Sequence, residues 1–372
     1  MMKKLFLIIT VIVILDIFTI ALINRKPHCK LYGDTVGKWL YTKDILNSSS
    51  LLEEVKSSFV DNDPGEALLF DRIWIPDNCS YLRFTNDTIY KAVEYTRLKH
   101  NLSIVNIVFM GDSSSRGILS GITRILSGSE LYGPCDNRIC GGMKFKTPNV
   151  DTMHGYYEES YQNLLLSFIY VKSWLSNHLD WDLEFAITQK KPLILVLNTG
   201  CWDFDVLSRA AAFHEFAPYC EGWDTAFYYQ WEIEKKRNQH WIFETMNWLG
   251  NVSASNGNRV IYRNNHYNRR FGALCADKIF EENIHNKTTA WEILDSRSIS
   301  NDVWRSQCTD GFHFDRTHAH SRESHEALIN EYKNKSKELP GMMEIQLGQS
   351  FLNAAFYDYV HWSVTTSKSE PV

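Results

Sequence analysis

The run Ile104-Val105-Asn106-Ile107-Val108-Phe109-Met110, broken by Gly111-Asp112 and followed by Ser113-Ser114-Ser115-Arg116-Gly117, constrains this chain more than any other stretch. A short, continuous apolar run rich in β-branched residues fits a strand covered on both faces, the habit of parallel sheets. The glycine and aspartate make a tight turn. Ser113 to Leu126 then shows helical spacing, with Ile118, Leu119, Ile122 and Ile125 on one face. A strand, turn and helix in that order place the Ser113 hydroxyl at the C-terminal edge of a sheet, where open α/β folds put their sites. The same position is the positive end of a helix dipole, with N–H groups suited to a developing oxyanion. Helix capping is the alternative role for Ser113. A base supplied by the C-terminal half decides between them.

The length of 372 residues allows one large core or two modest ones. A net charge of −5 and no basic stripe argue against a nucleic-acid partner. Leu5 to Ile23 is apolar except for Thr10, Asp16 and Thr19, and is near the ~20 residues that a membrane-spanning helix needs. Asp16 costs about 2.5–3.5 kcal/mol there, which the surrounding Ile, Leu, Val and Phe offset. Lysines precede the segment, and Arg25, Lys26 and Lys30 follow it, so the positive-inside rule does not fix its orientation. Asn47, Asn78, Asn86, Asn101, Asn251, Asn286 and Asn334 each begin an Asn-x-Ser/Thr glycosylation triplet. All eight cysteines lie beyond the apolar segment and none forms a Cys-x-x-Cys pair, which suits disulfides in an oxidising lumen and no zinc ribbon. These features predict a single-pass type II protein of the endoplasmic reticulum or Golgi lumen, with a cleaved signal peptide and a secreted form as the alternative. Residues 1–24 are then the cytoplasmic tip and anchor, 25–70 a loosely folded stem, and 71–372 one α/β domain.

Within that domain, Phe70 to Phe84, with Trp74-Ile75-Pro76 and Cys79, reads as an irregular lid or edge. Helical spacing covers Thr88 to His100, Tyr156 to Leu179, Trp223 to Leu249, Phe271 to Glu282 and His318 to Tyr332, and recurs in the tail beyond Pro340. Cys135 and Cys140 share the loop 128–142 and are close enough to close on each other. Further strands are Pro192 to Leu197, Arg259 to Arg263 and Ala290 to Asp295. The runs 104–110, 193–198 and 259–264 are predicted to be adjacent parallel strands with helices on both faces.

Strand ends then offer Ser113, Asn198 and the pair Asp310/His313, in that chain order. A serine hydroxyl becomes a useful nucleophile only when a base takes its proton, and histidine suits that near neutral pH. Asp310 and His313, three apart on a turn, can face the same way, so that the carboxylate holds the imidazole tautomer. Asn198 can add an amide donor to the Ser113 N–H. His313, His318 and His320 lack ligand companions at metal-site spacing, so neither a metal nor a cofactor is expected.

With these residues in place, the chain resembles the SGNH/GDSL hydrolase superfamily. Gly-Asp-Ser-x-x-Arg at 111–116, Asn-x-x-x-Trp-Asp at 198–203 and Asp-Gly-x-His at 310–313 are similar to its PC-esterase branch. That branch holds PC-esterase domain-containing proteins, trichome-birefringence-like polysaccharide O-acetyltransferases and the luminal domain of sialate O-acetyltransferase. Trp74-Ile75-Pro76-Asp77-Asn78-Cys79 is similar to the element preceding the serine in several of them. The resemblance covers roughly residues 72 to 335. It implies a three-layer α/β/α sandwich with a mainly parallel sheet, Ser113 as nucleophile, His313 as base, Asp310 as its orienter, and Ser113 and Asn198 as oxyanion hole. Arg116 and Trp202 are the candidate substrate contacts. The chain departs from the pattern in having no identifiable second-block glycine, with Gly141 and Gly142 as candidates. Serine at 115 rules out the Gly-x-Ser-x-Gly elbow.

The expected function is therefore acyl-ester chemistry through a covalent acyl-serine. The expected substrate is an O-acetylated glycan or another acyl ester, with an acyl donor if the enzyme is a transferase. The competing expectation is a luminal binding or scaffold protein that keeps the fold without catalysis.

Overall fold

The structure is a computed structural model that describes residues 26–29, 36–70, 72–128, 156–171, 179–198, 259–263, 291–300 and 342–366. The expected anchor at 5–23, the Cys135/Cys140 loop and the helices at 223–249, 271–282 and 318–332 lie outside the described residues. No helix among the described residues is long and apolar enough to cross a membrane.

The central strand is β3, Val105–Gly111, every residue of which is buried. Its side chains alternate between two cores, as a two-residue repeat requires. Val105, Ile107 and Phe109 face one, and Val108 and Met110 face the other. Among the described residues, strands β4 (Tyr156–Tyr161), β5 (Leu164–Tyr170), β6 (Ile194–Asn198), β7 (Arg259–Arg263) and β8 (Trp291–Leu294) join β3 in a six-stranded sheet in the order β4-β5-β3-β6-β7-β8. All neighbours are parallel except β4 and β5. The three runs expected to be adjacent and parallel are β3, β6 and β7, and β8 extends them.

Helices cover both faces. Helices α3 (Asn86–Lys99), α4 (Ser113–Leu126) and α7 (Met342–Ala355) share the first core with β3, and α5 (Leu179–Glu184) with its π-helical turn (Phe185–Gln189) fills the second. The apolar face expected for α4 is buried at Ile118, Leu119, Ile122 and Ile125. Each such side chain contributes about 1.5–3 kcal/mol by leaving water. The chain is thus a mixed α/β protein with a mostly parallel central sheet.

Two expectations need correction. Residues 156–170 are not helical but form the antiparallel β4–β5 hairpin, turning at Gln162-Asn163 with Gln162 at φ 50°. The β5 segment sends Leu164, Leu166 and Phe168 into one core and Ile169 into the other. A run apolar on both faces satisfies a helical spacing as well as a strand, and pairing with all seven residues of β3 decides the outcome.

The second correction concerns the stem, which is built into the domain from residue 36 onward. β1 (Gly37–Tyr41) pairs antiparallel with β2 (Arg72–Pro76), so the Trp74-Ile75-Pro76 stretch is a regular strand. Trp39 lies opposite Trp74 and donates from Nε1 to the Ile299 carbonyl at 2.7 Å, in the short helix α6 (Ser296–Ser300). Helices α1 (Thr42–Leu46) and α2 (Ser49–Ser57) bury Ile45 and Val55 in the main core. A disulfide joins Cys29 to Cys79. The tail beyond Pro340 continues from α7 into α8 (Tyr357–Thr366), and both helices add side chains to that core.

Helix α7 is held in two ways. Gly117 and Gly121 of α4 meet it so closely that a Cβ at Gly121 would overlap the Glu344 carbonyl group. On another side, two amide side chains grip an extended backbone, as a neighbouring strand would. Asn353 accepts from the Leu82 N–H and donates to the Leu82 carbonyl, both at 2.8 Å. Gln349 does the same for Phe84, again at 2.8 Å each way.

Candidate functional site

The sheet order contains a switch. From β3 the chain runs to β5 on one side, then returns to place β6 on the other side of β3. At such a point the flanking connections leave in opposite directions, and a crevice opens beyond the carboxyl ends of the two strands. Here those ends are Gly111 and Asn198, which are register partners. The Gly111-Asp112-Ser113 turn and Asn198, read separately from the sequence, therefore meet at the switch.

Close approach dictates glycine at 111. A Cβ there would overlap the Asn198 carbonyl oxygen and would lie 2.5 Å from Ser115 Oγ. On the other side, the Gly111 carbonyl accepts from the Val171 N–H at 2.8 Å. Asp112 follows with no exposed surface, and its carbonyl accepts from the Arg116 N–H at 3.3 Å, closing the first turn of α4. Ser113 is the first residue of that helix. The first N–H groups of a helix have no intrahelical acceptor, and a helix N-terminus favours negative charge by about 0.3–1 kcal/mol, and up to ~2 where partly buried.

Asn198 ends β6 with no exposed surface. Ser115, equally enclosed, donates from Oγ to the Asn198 carbonyl at 3.5 Å. This contact ties the first turn of α4 to the neighbouring strand end. Sequence reasoning missed Ser115 because nothing in the run 113–115 distinguishes one serine from the next. Arg116 is half-buried on the same turn. The arrangement can present helix N-terminal donors and an asparagine on one edge, the layout an oxyanion needs.

Asp310, His313 and Trp202 lie outside the described residues, as do His318, His320, Gly141 and Gly142. Among the described residues no group of three or more His, Cys, Asp or Glu could hold a metal ion. The described glycosylation triplets differ among themselves. Asn47, Asn78 and Asn101 are exposed, whereas Asn86 is half-buried and donates from Nδ2 to the Leu126 carbonyl. Asn251, Asn286 and Asn334 lie outside the described residues.

A polar group also sits on the hairpin edge. Lys190 donates to Tyr156 Oη at 2.8 Å and pairs with Glu158, while its ammonium lies 4.2 Å from the Tyr156 ring centroid. Burial pulls the Lys190 pKa down, but the hydrogen bonds to Glu158 and Tyr156 outweigh it and leave the pKa raised. A raised lysine pKa marks a structural ion pair, not an activated amine.

No protein-family model, curated protein or solved structure matches this chain.

Proposed function

We propose that the chain is a luminal serine-dependent acyl-ester enzyme of the SGNH type, similar to the PC-esterase branch, that transfers or removes O-acetyl groups on a glycan. The observation that carries this reading is the meeting of the Gly111-Asp112-Ser113 turn with Asn198 at the switch point of a mostly parallel sheet. Packing alone does not require a serine-headed helix and a fully enclosed asparagine at that one edge.

In this reading Ser113 Oγ attacks the ester carbonyl while His313 takes its proton, with Asp310 holding the second imidazole N–H. The Ser113 N–H and the Asn198 amide bear the oxyanion. Collapse returns the proton from His313 to the leaving sugar oxygen and leaves the acyl group on Ser113. Water or a second sugar hydroxyl, deprotonated by His313, then takes the acyl group. Arg116 and Trp202 contact the substrate. The apolar run 5–23, read as a membrane anchor, and the Asn-x-Ser/Thr triplets support a luminal setting for this chemistry.

The test uses the full chain purified from secretory cells. A fluorophosphonate probe labels wild type and fails on Ser113→Ala, and acetyl groups followed by mass spectrometry move on acetylated or free glycans only with wild type. Asp310→Asn lowers turnover by orders of magnitude, on the scale of ~10⁴ known for a serine protease. A folded wild type that neither takes the probe nor moves acetyl groups would sink the enzyme reading in favour of a binding role.

A further inference from the structure

We propose that Asn78 is a glycan acceptor only while the Cys29–Cys79 disulfide is open, so that disulfide closure and glycosylation compete for one tripeptide. The inference rests on the luminal placement proposed above. The triplet is Asn78-Cys79-Ser80, and its middle residue is itself a half of the disulfide.

The folded geometry divides the triplet. Asn78 is exposed, but Cys79 has no exposed surface and Ser80 is 6% exposed. The Ser80 N–H donates to the Pro27 carbonyl at 2.8 Å, and its carbonyl accepts from the Cys29 N–H at 3.0 Å. Next to it, the Tyr81 N–H donates to the Ser58 carbonyl at 2.9 Å, and the Tyr81 carbonyl accepts from the Val60 N–H at 2.7 Å. Residues 80–81 are thus gripped from two sides, by segments 27–29 and 58–60. A glycosylating enzyme reads the Ser/Thr of the triplet as well as the asparagine. In the closed form it would have to peel Ser80 from those partners against a covalent cross-link.

The chemistry balances on each side. In glycosylation, Asn78 Nδ2 forms a bond to the anomeric carbon of a lipid-pyrophosphate oligosaccharide. The glycosyl–phosphate bond breaks, the lipid pyrophosphate leaves, and one amide proton is lost. In closure, the Cys29 and Cys79 thiols lose two protons and two electrons to the disulfide of an oxidoreductase, which becomes a dithiol. Cys29 precedes Cys79 by 50 residues, so it is already waiting when Cys79 appears. The order is asymmetric. A glycan on the exposed Asn78 leaves later closure possible, whereas prior closure forbids the glycan.

The experiment expresses the full chain in secretory cells and measures occupancy at Asn78, Asn47 and Asn101 in the total cell pool by peptide mass spectrometry. Asn78 is expected to be partly occupied in wild type and nearly fully occupied in Cys29→Ser, with the two control sites unchanged. Ser80→Thr, which keeps both the triplet and the disulfide, should raise Asn78 occupancy in the wild-type background and add nothing to Cys29→Ser. Equal Asn78 occupancy in wild type and Cys29→Ser, with Asn47 and Asn101 glycosylated, would overturn the competition while leaving the luminal reading standing. Absence of glycan at all three sites would overturn the luminal placement and the competition together.

Discussion

Replacing Asn353 tests the account of how α7 holds the domain. Its side chain is 1% exposed and serves the Leu82 N–H, the Leu82 carbonyl and the Gln349 carbonyl at 2.8, 2.8 and 2.9 Å. In Asn353→Ala both Leu82 backbone groups lose this partner inside the core. At about 1–3 kcal/mol for each buried group left unsatisfied, the loss is about 2–6 kcal/mol. That is a large share of the ~5–15 kcal/mol by which domains are stable. With m near ~2 kcal/mol per molar urea, the unfolding midpoint falls by about 1 M or more. Asn353→Asp sharpens the test. It keeps the acceptor for the Leu82 N–H but turns a second oxygen toward two carbonyl oxygens, so the folded state prefers the protonated acid. The folded pKa therefore lies above the unfolded value of about 3.9, and stability is lost as pH rises through that window. The Asp variant should be weak at pH 7 and close on wild type as pH approaches ~4. Urea titrations followed by tryptophan fluorescence at both pH values read the result. An Asp variant as stable as wild type at pH 7, or an Ala variant within ~0.5 kcal/mol of it, would refute the clamp.

Three further outcomes are expected. Gly111→Ala should lower the melting temperature and any Ser113-dependent turnover together, because its Cβ forces the β3 and β6 ends apart; turnover lost at unchanged melting temperature would contradict this. Gly121→Val should cost about 1–3 kcal/mol as an overpacked helix contact, measured by urea unfolding, since its Cβ has the Glu344 backbone in its place. Lys190→Met should be less stable than wild type at neutral pH, and the gap in melting temperature should close as pH rises above 10.5 through the raised pKa, because the ion pair exists only while Lys190 is charged.

Legibility in the sequence followed the kind of burial. Strands β3, β6, β7 and β8 are short apolar runs, and α4 carries a clean apolar face, so their positions could be read directly. The β5 run was equally apolar but lacked a period that separates strand from helix, and only its seven-residue pairing with β3 resolves it. Residues 37–57 looked loose because their buried apolar side chains, Ile45 and Val55, are few and ten positions apart. Their order comes from β2, more than thirty residues on, which no local pattern announces. At the switch point, the Gly-Asp-Ser turn and Asn198 were legible as strand ends. Their adjacency follows from strand order, and the Ser115 contact follows from packing that a run of three serines does not encode.

The grip of α7 on residues 82 and 84 spans 271 and 265 positions of chain. Closing a loop of that size costs about 5 kcal/mol in chain entropy by the logarithmic rule. Contacts of such high order form late, and they slow folding relative to local ones. During synthesis, β1, β2 and the strand that leads into Ser113 emerge long before the helix that braces them. A nascent chain halted short of Met342 would hold α4 with its glycine-lined face uncovered, exposing apolar surface to any chaperone at hand. Assembly of this domain is thus gated by one of its last helices, and its exposure to aggregation or quality control is set by how long that helix takes to arrive.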